Sequence, residues 1–405
     1  MKKLAGNPYL KVDTNKIFID SVPLNELIEK FETPFMILIE NRIRDNINTF
    51  KEIFNSVFSE FQCFYSIKSN YLESVLKIIS SEDTGAELIS LPELNTTLKA
   101  GFNPNKIILG GPYLPNKLIK SSLENSIKEI IIYDLDDLKR VNKIADDLNQ
   151  TQDICLRINS MKFESKLGVK INKTVVKKIK NLFSKYSNLN LTTLLSHYST
   201  QMNSLNQFLE NIKVLIKAKE LLKRENLDIK NINIGGGFPE STVMPKKQLK
   251  KIAQGIKSYI KEKSIEIEKI YAEPGRYLVG DAGVFVTDVI KKSKNRWIFL
   301  NIGNHMCPKF ANCSLRFYNA SRIDTAHKFK TSIAGIIPTD QDILVKDYFF
   351  TDTITLNDKV LITNVGAYCL TFSNRFPYRL PNILMVKDKH YQEIFNPEKE
   401  NDFSI

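Results

Sequence analysis

Cysteine, histidine and long apolar runs are all scarce in this 405-residue chain, and each scarcity closes off a class of protein. Five cysteines stand at positions 63, 155, 307, 313 and 369. Their number is odd and no two form a CxxC pair, so no disulfide framework is expected and a reducing cytoplasm is the natural compartment. Histidine occurs four times, with no zinc-finger spacing. No window reaches the length of a membrane span. The two lysines of the opening MKKLAGNPYLKVD are not followed by an apolar core, so export is not expected either. Internal repeats and low-complexity tracts are also missing, and the tail EKENDFSI is expected to fray.

The residues that are present describe a folded, soluble chain. With 42% hydrophobic and 10% aromatic residues there is ample material for real cores, and the length suits one large and one smaller domain. A formal charge of +13, from 58 Lys+Arg against 45 Asp+Glu, raises the question of nucleic acid. The lysines are scattered through helical segments such as 246–263 rather than gathered in a stripe with interleaved aromatics. The charge therefore reads as solvated faces that draw in anionic ligands, with neither nucleic acid nor membrane as partner.

From residue 61 onward, short β-branched runs alternate with amphipathic segments. Strands are predicted near 61–67, 84–90, 106–109, 129–133, 153–158, 191–196, 230–234 and 268–272. Between them Leu138, Val141, Ala145 and Leu148 share one helical face, as do Leu205, Phe208, Ile212, Leu215 and Leu222. Eight β/α alternations point to a (β/α)8 TIM barrel, with an open doubly wound sheet as the competing architecture. Strand-like segments without long helices surround this region: 16–19 before it, and 284–289, 297–301, 333–337, 343–345 and 359–363 after it. They predict a mostly β C-terminal domain that includes the N-terminal strand. The expected division is an N-terminal segment 1–39 joining the β domain, the barrel at 40–277, and the β-rich domain at 278–405.

Barrel enzymes build their sites at the C-terminal ends of strands, so the residues that follow each predicted strand carry the chemistry. Lys68 follows the first, in FQCFYSIKSN. A partly desolvated amine there is poised to form a Schiff base. Ser90 and Glu93 follow the second strand, Arg157 the fifth and His197 the sixth. Gly235, Gly236 and Gly237 follow the seventh, and Glu273 and Arg276 the eighth. Three glycines after a strand let backbone N–H groups approach an anion, and Arg276 and Tyr368 can donate to phosphate oxygens. The aldehyde-bearing phosphate ester that needs a lysine is pyridoxal 5'-phosphate. Its ring nitrogen must stay protonated to act as an electron sink, a role suited to the carboxylate of Glu273. His197 suits stacking on the ring face.

With these residues placed, the sequence resembles the fold-type III pyridoxal phosphate decarboxylases: ornithine, arginine and diaminopimelate decarboxylases and their relatives. TPFMILIE (33–40) resembles the lead-in to the barrel, YSIKSN the cofactor-lysine motif, GAELISLPEL (85–94) the second-strand signature and HYSTQ the HVGSQ motif. INIGGGFPE, AEPGRYLVGDAG and NVGAY complete the series in the family's order. The resemblance implies an alanine racemase-like barrel and a Lys68 Schiff base. It implies His197 on the ring, Glu273 at its nitrogen, and Thr200, the glycine triplet, Arg276 and Tyr368 around the phosphate, with Glu93 and Arg157 also in the cofactor set. It also implies an amino-acid-type substrate and a head-to-tail homodimer with active sites at the interface.

Two departures bear on the substrate. In the family a Cys-x-x-x-Asp segment reaches the partner's site, and its cysteine returns a proton to Cα. Ungapped alignment keeps Asp342, a candidate catalytic residue, but puts Pro338 where that cysteine stands. Thr339 follows, as in the Cys-Thr-Pro version of siderophore- and antibiotic-pathway members. Ornithine-type enzymes carry an Asp after the Tyr of the segment matching 301–321, whereas here Tyr318 is followed by Asn319. Arg316 is a candidate for binding a distal carboxylate. The expected activity is decarboxylation of an unusual amino acid or amino-acid conjugate in specialised biosynthesis, with Lys68, Cys369, His305 or water as proton donor. Decarboxylation-dependent transamination and a noncatalytic cofactor-binding or partner-regulating homologue are the alternatives. A racemase is opposed by Glu273.

Overall fold

A computed structural model of the chain describes residues 2–162, 165–308 and 313–400. The end of the tail expected to fray, 401–405, and residues 309–312 lie outside these. The chain divides into two compact units. One comprises Ile47–Pro239 and Met244–Gly275, and the other Met1–Asn46, Glu240–Val243 and Arg276–Ile405.

The first unit is the expected barrel. Its strands, all parallel, are β1 (Phe61–Ser66), β2 (Gly85–Leu88), β3 (Ile107–Gly110), β4 (Glu129–Ile132), β5 (Gln152–Arg157), β6 (Leu189–Leu195), β7 (Asn231–Asn233) and β8 (Lys269–Ala272). They close in sequence order, with β8 returning to β1, which excludes the open doubly wound sheet. Runs such as EIII in β4 and IILG in β3 are buried throughout, because a parallel sheet wrapped by helices exposes neither face. The crossover helices bury the faces that their spacing predicts: Leu138, Val141 and Ala145 in Asp137–Asp147, and Phe208, Ile212, Leu215 and Leu222 in Leu205–Lys223. Phe64, Ile108, Ile131, Cys155, Leu195 and Tyr271 fill the barrel's interior, making it a packed core rather than a pore.

The second unit is mostly β. A nine-stranded sheet carries the core, and a four-stranded antiparallel sheet is formed by residues within 2–23. The lead-in segment has a larger part than the sequence indicates. Phe35–Ile39, five consecutive fully buried residues, lies inside the large sheet, antiparallel to Gly283–Lys292 and parallel to Asn382–Lys387. An apolar strand buried on both faces requires hydrogen-bonding neighbours on both edges, and only distant parts of the chain supply them. Phe35, Ile37 and Ile39 pack with Val284, Val286 and Leu384. The strand predicted at 333–337 falls earlier, at Phe329–Ala334, where register shifts in its pairing with Ile343–Phe350 displace the local pattern.

Candidate active site

The C-terminal ends of the barrel strands gather most of the expected residues. Lys68 sits in a short turn, Ile67–Ser69, directly after β1. Its ammonium lies 2.7 Å from Glu87 Oε2. Glu87, on β2, is almost wholly buried and also accepts the Ser66 hydroxyl at 2.6 Å. Burial opposes ionisation of Glu87, but the adjacent Lys68 charge and the hydrogen bonds outweigh it and hold the carboxyl below its usual range. Sequence reading missed this residue. A single carboxylate inside the four-residue strand GAEL, buried at every position, was the available signal.

The glycine triplet follows β7 and packs backbone against backbone. Gly235 and Gly237 have φ of +69° and +88°, and a Cβ on Gly237 would fall 2.2 Å from the Ser199 carbonyl oxygen. A Cβ on Gly236 would stand 2.6 Å from the Glu273 carbonyl oxygen. Only glycine lets the chain turn here. The Gly236 N–H donates to His197 Nδ1 at 3.2 Å. Burial first, then the charges of Arg157 and Lys68, lower the His197 pKa to about 3. The imidazole is therefore neutral at physiological pH, with Nδ1 an acceptor and the proton on Nε2.

Glu273 follows β8 and is 8% exposed. Its Oε1 accepts from Asn233 Nδ2 at 2.8 Å, and Asn233 Oδ1 accepts the Gly235 N–H at 2.9 Å. Asn233, fully buried at the end of β7, thus links the glycine turn to the carboxylate, a connection that the motif INIGGGFPE does not advertise. Burial and the neighbouring Glu87 charge push the Glu273 pKa up, so this site would gain from a cation placed against it.

The remaining expected residues have varied settings. Arg157, the last residue of β5, donates to the Tyr133 hydroxyl at 2.6 Å and lies over that ring at 4.6 Å. Glu93 serves its own helix start: its carboxylate accepts the Ile89 N–H at 2.7 Å, while Ser90 caps the helix Leu91–Lys99. Burial raises the Glu93 pKa. Thr200 is exposed in the loop after β6.

Arg276, Tyr368 and Asp342 belong to the β unit. Arg276 lies 4.8 Å from the Tyr368 ring centroid and donates to Glu240 at 3.2 Å. Asp342 is 3% exposed and uses both carboxylate oxygens on backbone, accepting Asn304 N–H at 2.6 Å and Ile337 N–H at 2.7 Å.

The barrel residues suit pyridoxal phosphate. A lysine with its side chain 42% exposed stands at a strand end, a glycine turn has no room for side chains, and a buried carboxylate is raised in pKa by its surroundings. Together they match an aldehyde, a phosphate and a protonatable ring nitrogen.

Comparison with known proteins agrees. The diaminopimelate decarboxylase of Staphylococcus aureus (strain COL) is 25% identical over 404 residues, covering 94% of each chain. The L-glutamyl-[BtrI acyl-carrier protein] decarboxylase of Niallia circulans is 25% identical over 387 residues, covering 88% of each. Among solved structures, diaminopimelate decarboxylase from M. jannaschii in complex with L-lysine shares the fold with a TM-score of 0.86 at 22% identity, covering 96% of this chain and 95% of the other. The family model described as pyridoxal-dependent decarboxylase, pyridoxal binding domain, matches residues 40–280, more than half of the sequence. The chain accordingly belongs to the pyridoxal-dependent decarboxylases and is an amino-acid carboxy-lyase that uses pyridoxal 5'-phosphate.

Proposed function

We propose that this enzyme decarboxylates an amino acid carried as a conjugate, or otherwise altered at its distal end, in a specialised biosynthetic route. The observation that carries this reading is the setting of Asn319, which takes the place of the acid expected to hold a distal amine. Asn319 is fully buried, and its amide donates to Thr351 at 3.2 Å and to Asp358 at 3.0 Å within its own unit. The amide carries no charge to pair with the distal ammonium of a diamine precursor, and its oxygen, which has no hydrogen-bond partner among the described residues, is buried. Arg316, the candidate for a distal carboxylate, is exposed. The acyl-carrier-protein substrate in the name of the Niallia circulans relative supports a conjugate.

When bound, pyridoxal phosphate supplies an electron sink for the charge left at Cα as carbon dioxide departs. We assign cofactor attachment to Lys68 Nζ. The Glu273 carboxylate would hold the ring nitrogen protonated, and neutral His197, fixed by the Gly236 N–H, would offer its flat imidazole face to the ring. The N–H groups of Gly235, Gly236 and Gly237 are assigned to the phosphate with Thr200, Arg276 and Tyr368, and Glu93 and Arg157 complete the cofactor set. With Pro338 unable to give a proton, the Lys68 amine is the group that would supply one to the substrate Cα. Glu87, 2.7 Å away, holds the ammonium in place for that transfer. A head-to-tail homodimer is part of the proposal. So is a cytoplasmic setting, which suits five free thiols.

The test is carbon dioxide release from a panel of ornithine, lysine, diaminopimelate, glutamate and a glutamyl thioester, with products identified by mass spectrometry. A conjugate turned over best, giving an amine, is the expected result. Preferred turnover of diaminopimelate or ornithine would overturn the substrate reading, and an aldehyde product would assign the transamination branch.

A further inference from the structure

The motif INIGGGFPE ends in Glu240, which the cofactor reading leaves without a role. The residue is wholly buried, as is almost all of Arg276, and its Oε1 accepts from Arg276 Nη1 at 3.2 Å. The pair is monodentate: Glu240 Oε2 has no hydrogen-bond partner among the described residues. The opposite constraint on the guanidinium is the Tyr368 ring, 4.8 Å from Arg276 Cζ. A third contact tightens the arrangement. Gly280, four residues after Arg276 and therefore on the same side of the turn, leaves no space beside the pair. A Cβ there would stand 2.7 Å from Glu240 Cγ and 3.0 Å from Arg276 Cγ.

We infer that Glu240 is a positioning residue that fixes the Arg276 guanidinium for the cofactor's phosphate, with Gly280 keeping the space in which the two side chains meet. The physical argument concerns what a buried carboxylate beside a phosphate-binding arginine can contribute. Its charge opposes a second anion, so it is not there for attraction. What it offers is direction. A guanidinium presents its donors in a rigid plane, and one edge held by a carboxylate with one face against an aromatic ring leaves a single orientation. A flexible arginine would have to lose its rotamer freedom on each binding event, whereas a held one has already done so.

This inference rests on the reading that Arg276 serves the phosphate, and the experiment separates the two. Affinities for pyridoxal phosphate and for pyridoxal, which lacks the phosphate, are measured by equilibrium dialysis on the wild type, Arg276→Ala, Glu240→Ala, Glu240→Gln and Gly280→Ala, with circular dichroism confirming the fold. Glu240→Ala is expected to weaken pyridoxal phosphate binding by about tenfold or more while leaving pyridoxal unchanged. Glu240→Gln, which keeps the acceptor, should restore most of the loss, and Gly280→Ala should show the same selective loss with every charge in place. Should Glu240→Ala not fold, Gly280→Ala alone decides. If Arg276→Ala loses phosphate selectivity but neither Glu240→Ala nor Gly280→Ala does, the inference is wrong and the phosphate reading stands. If Arg276→Ala retains wild-type selectivity, the phosphate reading itself fails, and the inference with it.

Discussion

Replacing Glu129 by glutamine should stabilise the protein, by an amount that grows as pH rises from about 4.5 to about 7 and levels off above that. Glu129 opens β4 at the N-terminal end of the barrel and is 1% exposed. Its Oε1 accepts the Thr193 hydroxyl at 2.8 Å, and Oε2 has no hydrogen-bond partner among the described residues. Burial raises its pKa from 4.5 to about 7, against the opposing hydrogen bond from Thr193 and the charge of Lys128. A carboxyl whose folded pKa lies above its unfolded one favours the folded state fully below the unfolded value. That contribution is lost as pH rises through the folded value. Two and a half units at about 1.4 kcal/mol each give a penalty of about 3 kcal/mol once the group is ionised. Glutamine keeps the size and an oxygen acceptor but cannot ionise. Urea unfolding at about pH 8.5 should therefore show Glu129→Gln more stable than wild type by up to about 3 kcal/mol. At about pH 5 the same difference should shrink below about 1 kcal/mol. Comparing the two proteins at each pH cancels the titration of distant groups such as Glu273. Equal stabilities at high pH, or a destabilisation of the same size at both, would refute the reasoning.

Two further predictions test the remaining assignments. Glu273→Gln should lower turnover by roughly one to three orders of magnitude, following the 1–3 units by which a close opposite charge moves a pKa. The same variant should make the cofactor-free protein more resistant to urea near pH 8, because the raised pKa marks an unfavourable buried charge. Loss of turnover accompanied by loss of stability would instead assign Glu273 to the fold. Asp342→Ala should cost about 2–5 kcal/mol in urea unfolding, since the N–H groups of Asn304 and Ile337 lose their acceptor. Unchanged stability would remove the structural role described for it.

The barrel was legible because its signals are local. Each strand is a short run that must be buried on both faces, each crossover helix repeats its apolar residues every three or four positions, and all eight predicted strands lie within about two residues of the observed ends. The β unit was less so. Phe35–Ile39 pairs with residues some 250 and 350 positions away, and no nearby pattern announces such partners. Arg316–Asn319 went unpredicted for the same reason, its one neighbour being the later strand Lys359–Thr363, whereas His390–Phe395, which pairs in a hairpin with Asn382–Lys387 just before it, was missed despite a local partner. At the site, residues after strands and Arg157, the last residue of β5, were found, while Glu87, inside β2, and Asn233, the last residue of β7, were not. A polar side chain within a strand reads as one half of an alternating pattern until a closed barrel shows that its face points inward. His197 shows a further limit, because its tautomer depends on the Gly236 N–H, a backbone donor with no signature in side-chain sequence.

The central claim is covalent attachment of pyridoxal phosphate at Lys68, and borohydride reduction of the loaded enzyme followed by peptide mass spectrometry tests it most directly. The reduced pyridoxyl phosphate adduct should appear on the peptide containing Lys68, and it should vanish in Lys68→Ala although that variant remains folded. An adduct confined to another lysine, or no adduct on a protein saturated with cofactor, would contradict the account.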